Sequence, residues 1–423
     1  MQHRLQIIRG LTLQVALGAL VGLLCGAASA AFLWLLDQVT MLRGQQPWLP
    51  WTLPAIGVLI GVVYLRWGRP VQRGTGLVID TLHDGGPPLP LRMAPMVLAG
   101  TLATHLGGGS AGREGTAVQM GASLADQLAR LLGIKVLRPV LISAGVAGGF
   151  GSVFGTPVAG IVFALELAVI GRMEARGLLA LVVAALVGDQ VTRALGIVHT
   201  PYPAVLAPAF TPLLVGKLCA LAVAVALAAV IFIELTHAIR RVLERHVRLA
   251  PLRLALGGVA VVLLWRVTGD DYLGLGVPTI VRAFHDPSLP AWAFAAKLAL
   301  TALTIGAGFI GGEVTPLFFI GATLGAAAAQ VLGLPLPLAA ALGMAALFGA
   351  AANTPLALAI MAVELCGASL LPHVVLVTCV AWALTGARGI YAAQRVAHDK
   401  HVAHDQPPLA TGPLRSLDDV RRA

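Results

Sequence analysis

The feature that most constrains this chain is that it repeats itself at long range. Residues 145–167, GVAGGFGSVFGTPVAGIVFALEL, lie over residues 343–365, GMAALFGAAANTPLALAIMAVEL. At this shift of 198, Gly145, Ala147, Phe150, Gly151, Thr156, Pro157, Ala159, Ala164, Glu166 and Leu167 each meet an identical residue. Upstream, residues 112–133 lie over 312–333 at a shift of 200, where Gly112, Gly121, Ala122, Leu124, Ala129, Leu132 and Gly133 recur. Any two Ala-, Gly- and Leu-rich segments share chance identities, but Thr-Pro and Glu-Leu pairs at one fixed spacing do not arise that way. Self-similarity sets the architecture before any motif is interpreted, because each copy must form the same unit.

The copies belong in lipid. Of 423 residues, 58% are hydrophobic and 11% charged, against roughly a quarter charged in a soluble domain. Apolar stretches of about 17–25 residues can cross the hydrocarbon core as helices, and the chain offers more than a dozen candidates, the first from about Leu13 to Leu36. That first run is too long, and too closely followed by others, for a cleaved signal peptide. Many later runs are short and interrupted among 49 Gly and 26 Pro, so half-spanning, tilted and broken helices are expected. Cys25, Cys219, Cys366 and Cys379 all lie inside apolar spans and suggest core residues rather than a disulfide framework or a metal site.

A formal charge of +10 raises the question of nucleic acid, but its distribution points elsewhere. Arg4 and Arg9; Arg66, Arg69 and Arg73; Arg240, Arg241, Arg245, Arg248 and Arg253; and Arg388 and Arg395 all fall in termini or short links. The positive-inside rule makes those segments cytoplasmic. The links from Asp37 to Trp51, His199 to Thr211 and Asp270 to Leu289 are poor in Lys and Arg and face the other side. The basic link Arg66 to Arg73 in the first half corresponds to the acidic link beginning at Asp270 in the second. The repeats are therefore expected to be inverted, an arrangement that encloses a substrate site near the midplane where helices break. The expected organisation is a cytoplasmic N-terminus (1–10), a first membrane repeat (11–200), a second, inverted repeat (201–392) and a solvated cytoplasmic tail (393–423).

Two glycine-rich segments carry the candidate chemistry. Gly107-Gly108-Gly109-Ser110-Ala111-Gly112-Arg113-Glu114-Gly115-Thr116 precedes an apolar helix. Glycines let backbone N–H groups approach a ligand, and the following helix adds its positive dipole end, which suits an anion. An intramembrane carboxylate there, Glu114, is a functional hypothesis by default. Charged, it competes with an anion for the amides; protonated, it can swing away, coupling anion to proton movement. The plainer reading is that Glu114 pairs with Arg113. The second half offers Gly308-Phe309-Ile310-Gly311-Gly312-Glu313-Val314-Thr315-Pro316, with Pro316 suited to a first helical turn, a second carboxylate in Glu313 and a hydroxyl in Thr315. Thr75 in Gly74-Thr75-Gly76-Leu77-Val78 is a further hydroxyl. Tyr391 follows the last span and offers either a phenolic donor or an interfacial anchor.

Over nearly its whole length the chain resembles the CLC family of chloride channels and proton-coupled anion exchangers. Gly112-Arg113-Glu114-Gly115 is similar to the family's gating-glutamate motif, Gly-Thr-Gly-Leu-Val at 74–78 to its serine-bearing motif, Thr-Pro-Val-Ala-Gly at 156–160 to the helix that follows, and Gly-Ile-Tyr at 389–391 to its central tyrosine region. Thr116 stands where chloride-type members have proline. Glu313-Val314-Thr315-Pro316 departs from the usual glycine, variable, phenylalanine, variable, proline pattern. Both departures resemble the fluoride-exporting branch, which carries Gly-Arg-Glu-Gly-Thr and Gly-Glu-Val-Thr-Pro.

The resemblance implies an all-α membrane protein, a CLC-type bundle of tilted and broken helices in two inverted repeats. It implies a multi-pass homodimer in the cell (inner) membrane, one pathway per subunit, exporting fluoride against inward protons, with no cofactor. It makes Glu114 the gate and Glu313 a second coupling element. It assigns the anion path to Thr75, Gly115, the amides of Glu313 and Val314, Thr315 and Tyr391. Leu167 stands where proton-coupled chloride exchangers carry an inner glutamate, a departure from their proton route. A chloride-selective channel or chloride/proton exchanger is the alternative, since the same donors tolerate chloride. A membrane-embedded enzyme lacks any intramembrane Ser/His/Asp set, His-metal spacing or paired Asp at a convergent place.

The remaining polar residues have plainer expectations. Glu166 and Glu364, at equivalent places in the repeat, are expected to pair structurally near helix ends. Lys217 and Lys297, near the starts of apolar spans, are expected to snorkel toward an interface. His398, His401 and His404 have a spacing of three in a polar tail, which is not assigned to metal.

Overall fold

The computed structural model describes residues 2–83, 86–173 and 175–397, and the three tail histidines lie outside them. Among the described residues the chain forms sixteen α-helices, which fall into two sets of eight in the same order. The first set is α1 (Gln2–Gln45), α2 (Leu53–Val63), α3 (Thr75–Leu82), α4 (Met93–Leu106), α5 (Glu114–Leu131), α6 (Arg138–Phe154), α7 (Pro157–Glu166) and α8 (Leu178–Ala194). The second is α9 (Pro212–His246), α10 (Ala250–Thr268), α11 (Val277–Arg282), α12 (Ala293–Ala307), α13 (Val314–Leu332), α14 (Leu336–Ala352), α15 (Pro355–Cys366) and α16 (Leu371–Leu384). A two-residue parallel pairing of β1 (Val169–Ile170) with β2 (Arg395–Val396) ties the segment after the last helix to the link between α7 and α8.

Helix lengths correct the count of spans. Among the described residues, five helical segments are both long and apolar enough to cross a bilayer, and seven shorter apolar helices have 17 residues or fewer. The longest, α1 with 44 residues, is about 66 Å long at 1.5 Å per residue, twice a hydrocarbon core of about 30 Å. It therefore tilts and projects. Many apolar runs of the sequence are half-helices ended by turn chemistry. Thr-Pro starts α7 and α15, with Pro at the first helical position, where its missing N–H costs nothing. The preceding helix α6 ends in a left-handed Gly155 (φ 73°), and α14 at the repeat-equivalent Asn353 (φ 59°). Asn tolerates that conformation next best after Gly, and its Nδ2 also donates to Arg388 O (3.1 Å) and Gln394 Oε1 (3.1 Å).

Lipid cannot drive helices together by hydrophobicity, so close backbone contact through small residues must do so. On α1, a Cβ added at Gly18, Gly22 or Gly26 would stand 2.6–2.8 Å from the Ala180, Ala184 and Gly188 carbonyl oxygens of α8. The same device joins α5 to α6 through Gly121 and Gly145, and its repeat equivalent joins α13 to α14 through Gly321 and Gly343. The central helices α6 and α14 are buried along almost their whole length, and α1, α9 and α10 turn Leu20, Leu23, Leu227, Ile231 and Leu263 outward.

Two expectations meet the structure at polar residues. Glu166 and Glu364 are structural, as expected, though their partners are not each other. Glu166, ending α7, accepts from the Leu356 and Ala357 amides that open α15 (3.3 and 2.8 Å), and Glu364, near the end of α15, accepts from the Val158 and Ala159 amides that open α7 (3.0 and 2.8 Å). Each helix carries the carboxylate that caps the other. Lys297 overturns the snorkelling expectation. It is fully buried, donating to the Tyr272 and Gly274 carbonyls at 3.0 and 2.6 Å and lying over the Phe319 ring. The link after α10 folds back over α12 and offers the ammonium carbonyl acceptors inside the protein, so the side chain has no reason to seek the interface. Lys297→Met should leave both carbonyls unpaired and lower stability by about 2–4 kcal/mol, measurable as a lower thermal midpoint in detergent; an unchanged midpoint would refute this role. Lys217 is half-exposed and donates to Gly333 O at the end of α13 (3.1 Å).

Candidate functional site

The two glycine-rich segments meet at the centre of the molecule. Gly112 N donates to Gly312 O at 2.6 Å and Gly312 N donates to Gly112 O at 2.8 Å, an antiparallel bridge between repeat-equivalent residues. A residue that pairs antiparallel with its own equivalent places a local two-fold axis between the two, which is what an inverted repeat requires. The bridge brings the N-termini of α5 and α13 together. It needs glycine: a Cβ on Gly312 would lie 2.8 Å from Gly115 N, and one on Gly115 would lie 3.1 Å from Gly312 Cα.

Glu114 opens α5 and is fully buried. Its Oε2 accepts from the Thr315 amide (3.2 Å) and the Arg113 amide (3.1 Å), and its Oε1 accepts from the Thr315 hydroxyl. The Arg113 Nε lies farther away, 3.5 Å from Oε1. Pairing with Arg113 is therefore present but secondary. The carboxylate sits on the first turn of α13, in the place that an inorganic anion takes at a helix N-terminus.

A cavity of about 300 Å3 opens on the side of the basic links and is lined by Arg73, Thr75, Gln119, His237, Arg240, Glu313 and Tyr391 among others. Another, of about 430 Å3, lies on the opposite side and takes its walls from all three links expected outside, through Asp37, Arg43, Thr200, Asp270, Asp271 and Thr279, and from Arg113. The 200-residue offset relates the two. It carries Arg73, Thr75, Gly76, His237, Arg240 and Glu313 of the inner wall onto Leu273, Leu275, Gly276, Asp37, Thr40 and Arg113 of the outer wall. The cavities are one design used twice with different charges. Glu114 stands between them, following Arg113 and preceding Gly115, whose Cα region faces both Glu313 and Thr75.

The structure brings most of the sequence candidates together. Glu114 and Thr315 touch; Thr75, Glu313 and Tyr391 line the inner cavity, and Gly115 and the buried Val314 flank the partition. Tyr391 is 4% exposed, which excludes the interfacial anchor. Residues that sequence reasoning passed over complete the site. Gln119 Nε2 donates to Thr75 Oγ1 (3.2 Å), and Thr101 Oγ1 meets Thr116 Oγ1 at 2.6 Å, so the threonine that replaces proline has a hydroxyl partner on α4. An amide at Gln119, in an apolar helix one turn beyond Gly115, was the available signal. Leu167 is fully buried, and its carbonyl accepts from Gln394 Nε2 at 3.0 Å.

Comparison with known proteins agrees with this geometry. The family model described as "Voltage gated chloride channel" matches residues 56–386. The chain is 45% identical over 395 residues to a "Chloride/fluoride channel protein" of Pseudomonas syringae pv. tomato, covering 92% of this chain and 87% of that one. It is 29% identical to a "Putative chloride channel protein ClcB-like" of Ralstonia nicotianae, with 75% and 78% covered. Among solved structures, a CLC-type fluoride/proton antiporter superposes with a TM-score of 0.88 at 34% identity, over 91% of this chain and 98% of that one. A slow cyanobacterial Cl−/H+ antiporter shares the fold at a TM-score of 0.74 and 19% identity, over 88% and 94%.

Proposed function

This chain belongs to the voltage-gated chloride channel (CLC) family, and from that premise we propose that it exports fluoride in exchange for protons. The observation that carries the proposal is the seat of Glu114. Its carboxylate takes the amide and hydroxyl of Thr315, the donors an anion needs at the same helix start. Anion and charged carboxylate therefore exclude one another, and a proton on Glu114 releases the donors. Fluoride is small and strongly hydrated, so its site must supply several strong donors to replace water. Thr75, Thr315, Tyr391 and the amides around Gly115, Glu313 and Val314 supply them, while Glu313 carries a carboxyl beside the path on the cytoplasmic side. The fluoride/proton antiporter among the structural neighbours and the chloride/fluoride channel protein among the relatives support the same reading.

The site is complete within one chain, which suits the homodimer with one pathway per subunit and the inner-membrane location that the family resemblance implies. The test is purified protein in liposomes loaded with fluoride or chloride, with ion efflux and proton uptake followed together. Fluoride efflux accompanied by proton uptake is expected. Chloride efflux as fast as that of fluoride would overturn the anion choice in favour of a chloride transporter, and fluoride efflux without proton movement would make the protein a channel.

A further inference from the structure

The proton's exit toward the cytoplasm has no carboxyl at the Leu167 position, which is a buried aliphatic side chain. The inner cavity offers another group. Its wall carries arginine, tyrosine, one carboxyl and one imidazole: Arg73 and Arg240, Tyr64 and Tyr391, Glu313 and His237. Arginine and tyrosine do not exchange protons near neutral pH, whereas an imidazole is built to do so. His237 is half-buried on α9, toward its cytoplasmic end. The repeat reinforces the position. His237 corresponds to Asp37 on the equivalent turn of α1, and Asp37 lines the outer cavity. Each cavity thus has a side chain able to exchange protons at the same position of the same repeated helix, the outer one holding Asp270 and Asp271 besides and the inner one Glu313, with Glu114 between the two cavities.

The surroundings of His237 are mixed in charge. On its own helix stand Glu234, Arg240 and Arg241. Glu234 is paired with Arg388 (3.0 Å), and Arg240 lies 3.8 Å from Glu244. Arg73 faces the cavity from the link before α3, Tyr64 from the end of α2, Glu313 from the start of α13 and Tyr391 from the final link. The packed helices α12 and α16 hold Lys297 and His373, but these bond the Tyr272 and Gly274 carbonyls and the Pro208 carbonyl on the outer side. Within the cavity, Glu313 and His237 are left to pass a proton.

We propose that His237 is the relay by which a proton leaving Glu313 reaches the cytoplasm. The Glu313 carboxyl gives its proton through cavity water to the imidazole, leaving a carboxylate and an imidazolium, and the imidazolium then releases the proton to bulk solvent. This rests on the proton-coupled reading above, so the test begins with the wild type: absence of proton uptake there would sink that reading itself rather than the role of His237.

Given coupled wild-type transport, His237→Gln should slow proton uptake and fluoride efflux together by about 10-fold, less than for a proton transfer in a transition state because water partly bypasses the relay. With pH equal on both sides and varied from about 5 to 8, the histidine range, the variant should lose the wild-type inflection. His237→Lys, which puts a standing cation there but does not titrate in this range, should be as slow as His237→Gln. Imidazole buffer inside and outside the vesicles should restore the rate of His237→Gln. Wild-type rates and an unchanged pH profile in His237→Gln would overturn the proposal. So would full activity of His237→Lys, which would make the residue an electrostatic guide for the anion. A slow variant that imidazole does not rescue would likewise overturn it, by making the residue structural.

Discussion

Glu114→Gln is expected to reduce proton uptake by fluoride-loaded liposomes to the level of empty liposomes, a loss of at least about 100-fold. Glutamine has nearly the shape of glutamate and can still place an oxygen near the Thr315 amide, so the helix starts should stay together. What it lacks is a site for the transported proton. It also replaces one acceptor oxygen by an amide donor, in a place where the Thr315 amide, the Thr315 hydroxyl and the Arg113 amide all supply donors to the native carboxylate. The competition between carboxylate and anion thereby disappears along with the charge that creates it. The measurement is simultaneous recording of fluoride efflux and external pH. Proton uptake per fluoride equal to wild type would remove Glu114 from the gate.

Gly321→Val is expected to prevent assembly, costing at least about 4 kcal/mol, the range reserved for severe steric or cavity defects. On α13 a Cβ at this position would overlap the Gly343 carbonyl oxygen and come within 3.0 Å of Leu347 Cβ on α14. Both obstacles are rigid: one is helix backbone, the other the first carbon of a buried side chain. A packed interior yields too little to absorb such an insertion. The equivalent Gly121 faces the Gly145 carbonyl in the same way, so Gly121→Val should fail similarly. Gly216→Val is the control, because nothing lies within 4 Å of a Cβ there. In detergent, size-exclusion profiles should show aggregate for the first two and a single species for the third. Identical profiles for Gly321→Val and Gly216→Val would contradict the packing argument.

The difference between those glycines shows what local sequence leaves out. Gly216, Gly321 and Gly22 all sit in apolar helical runs with no distinguishing local pattern; only the neighbouring helix tells which one is in backbone contact. The repeat was a better guide, because Gly121 and Gly321 recur, as do Gly145 and Gly343. Recurrence at a fixed offset reports a constraint that both copies share. Where the copies differ, the sequence was silent about partners. Lys297 corresponds to Val97 in the first half, and its carbonyl acceptors come from a link some 25 residues back along the chain. His237 corresponds to Asp37, and nothing local in sequence says that both face a cavity.

By itself the sequence determined the membrane class, the two inverted copies, the helix starts at Gly-Arg-Glu-Gly-Thr and Gly-Glu-Val-Thr-Pro, and the candidate pair Glu114 and Glu313. These follow from hydropathy, turn chemistry and self-similarity, properties that a chain carries before it folds. The tertiary structure decided which groups meet. Glu114 reaches Thr315, 201 positions away, and Glu166 and Glu364 cap one another's opposing helices across more than 190. Such contacts depend on how the two copies dock about their axis at Gly112 and Gly312. The docking geometry is set by backbone approach at glycines; their recurrence at a fixed offset marks the positions, but with no side chain they do not say which helix they touch.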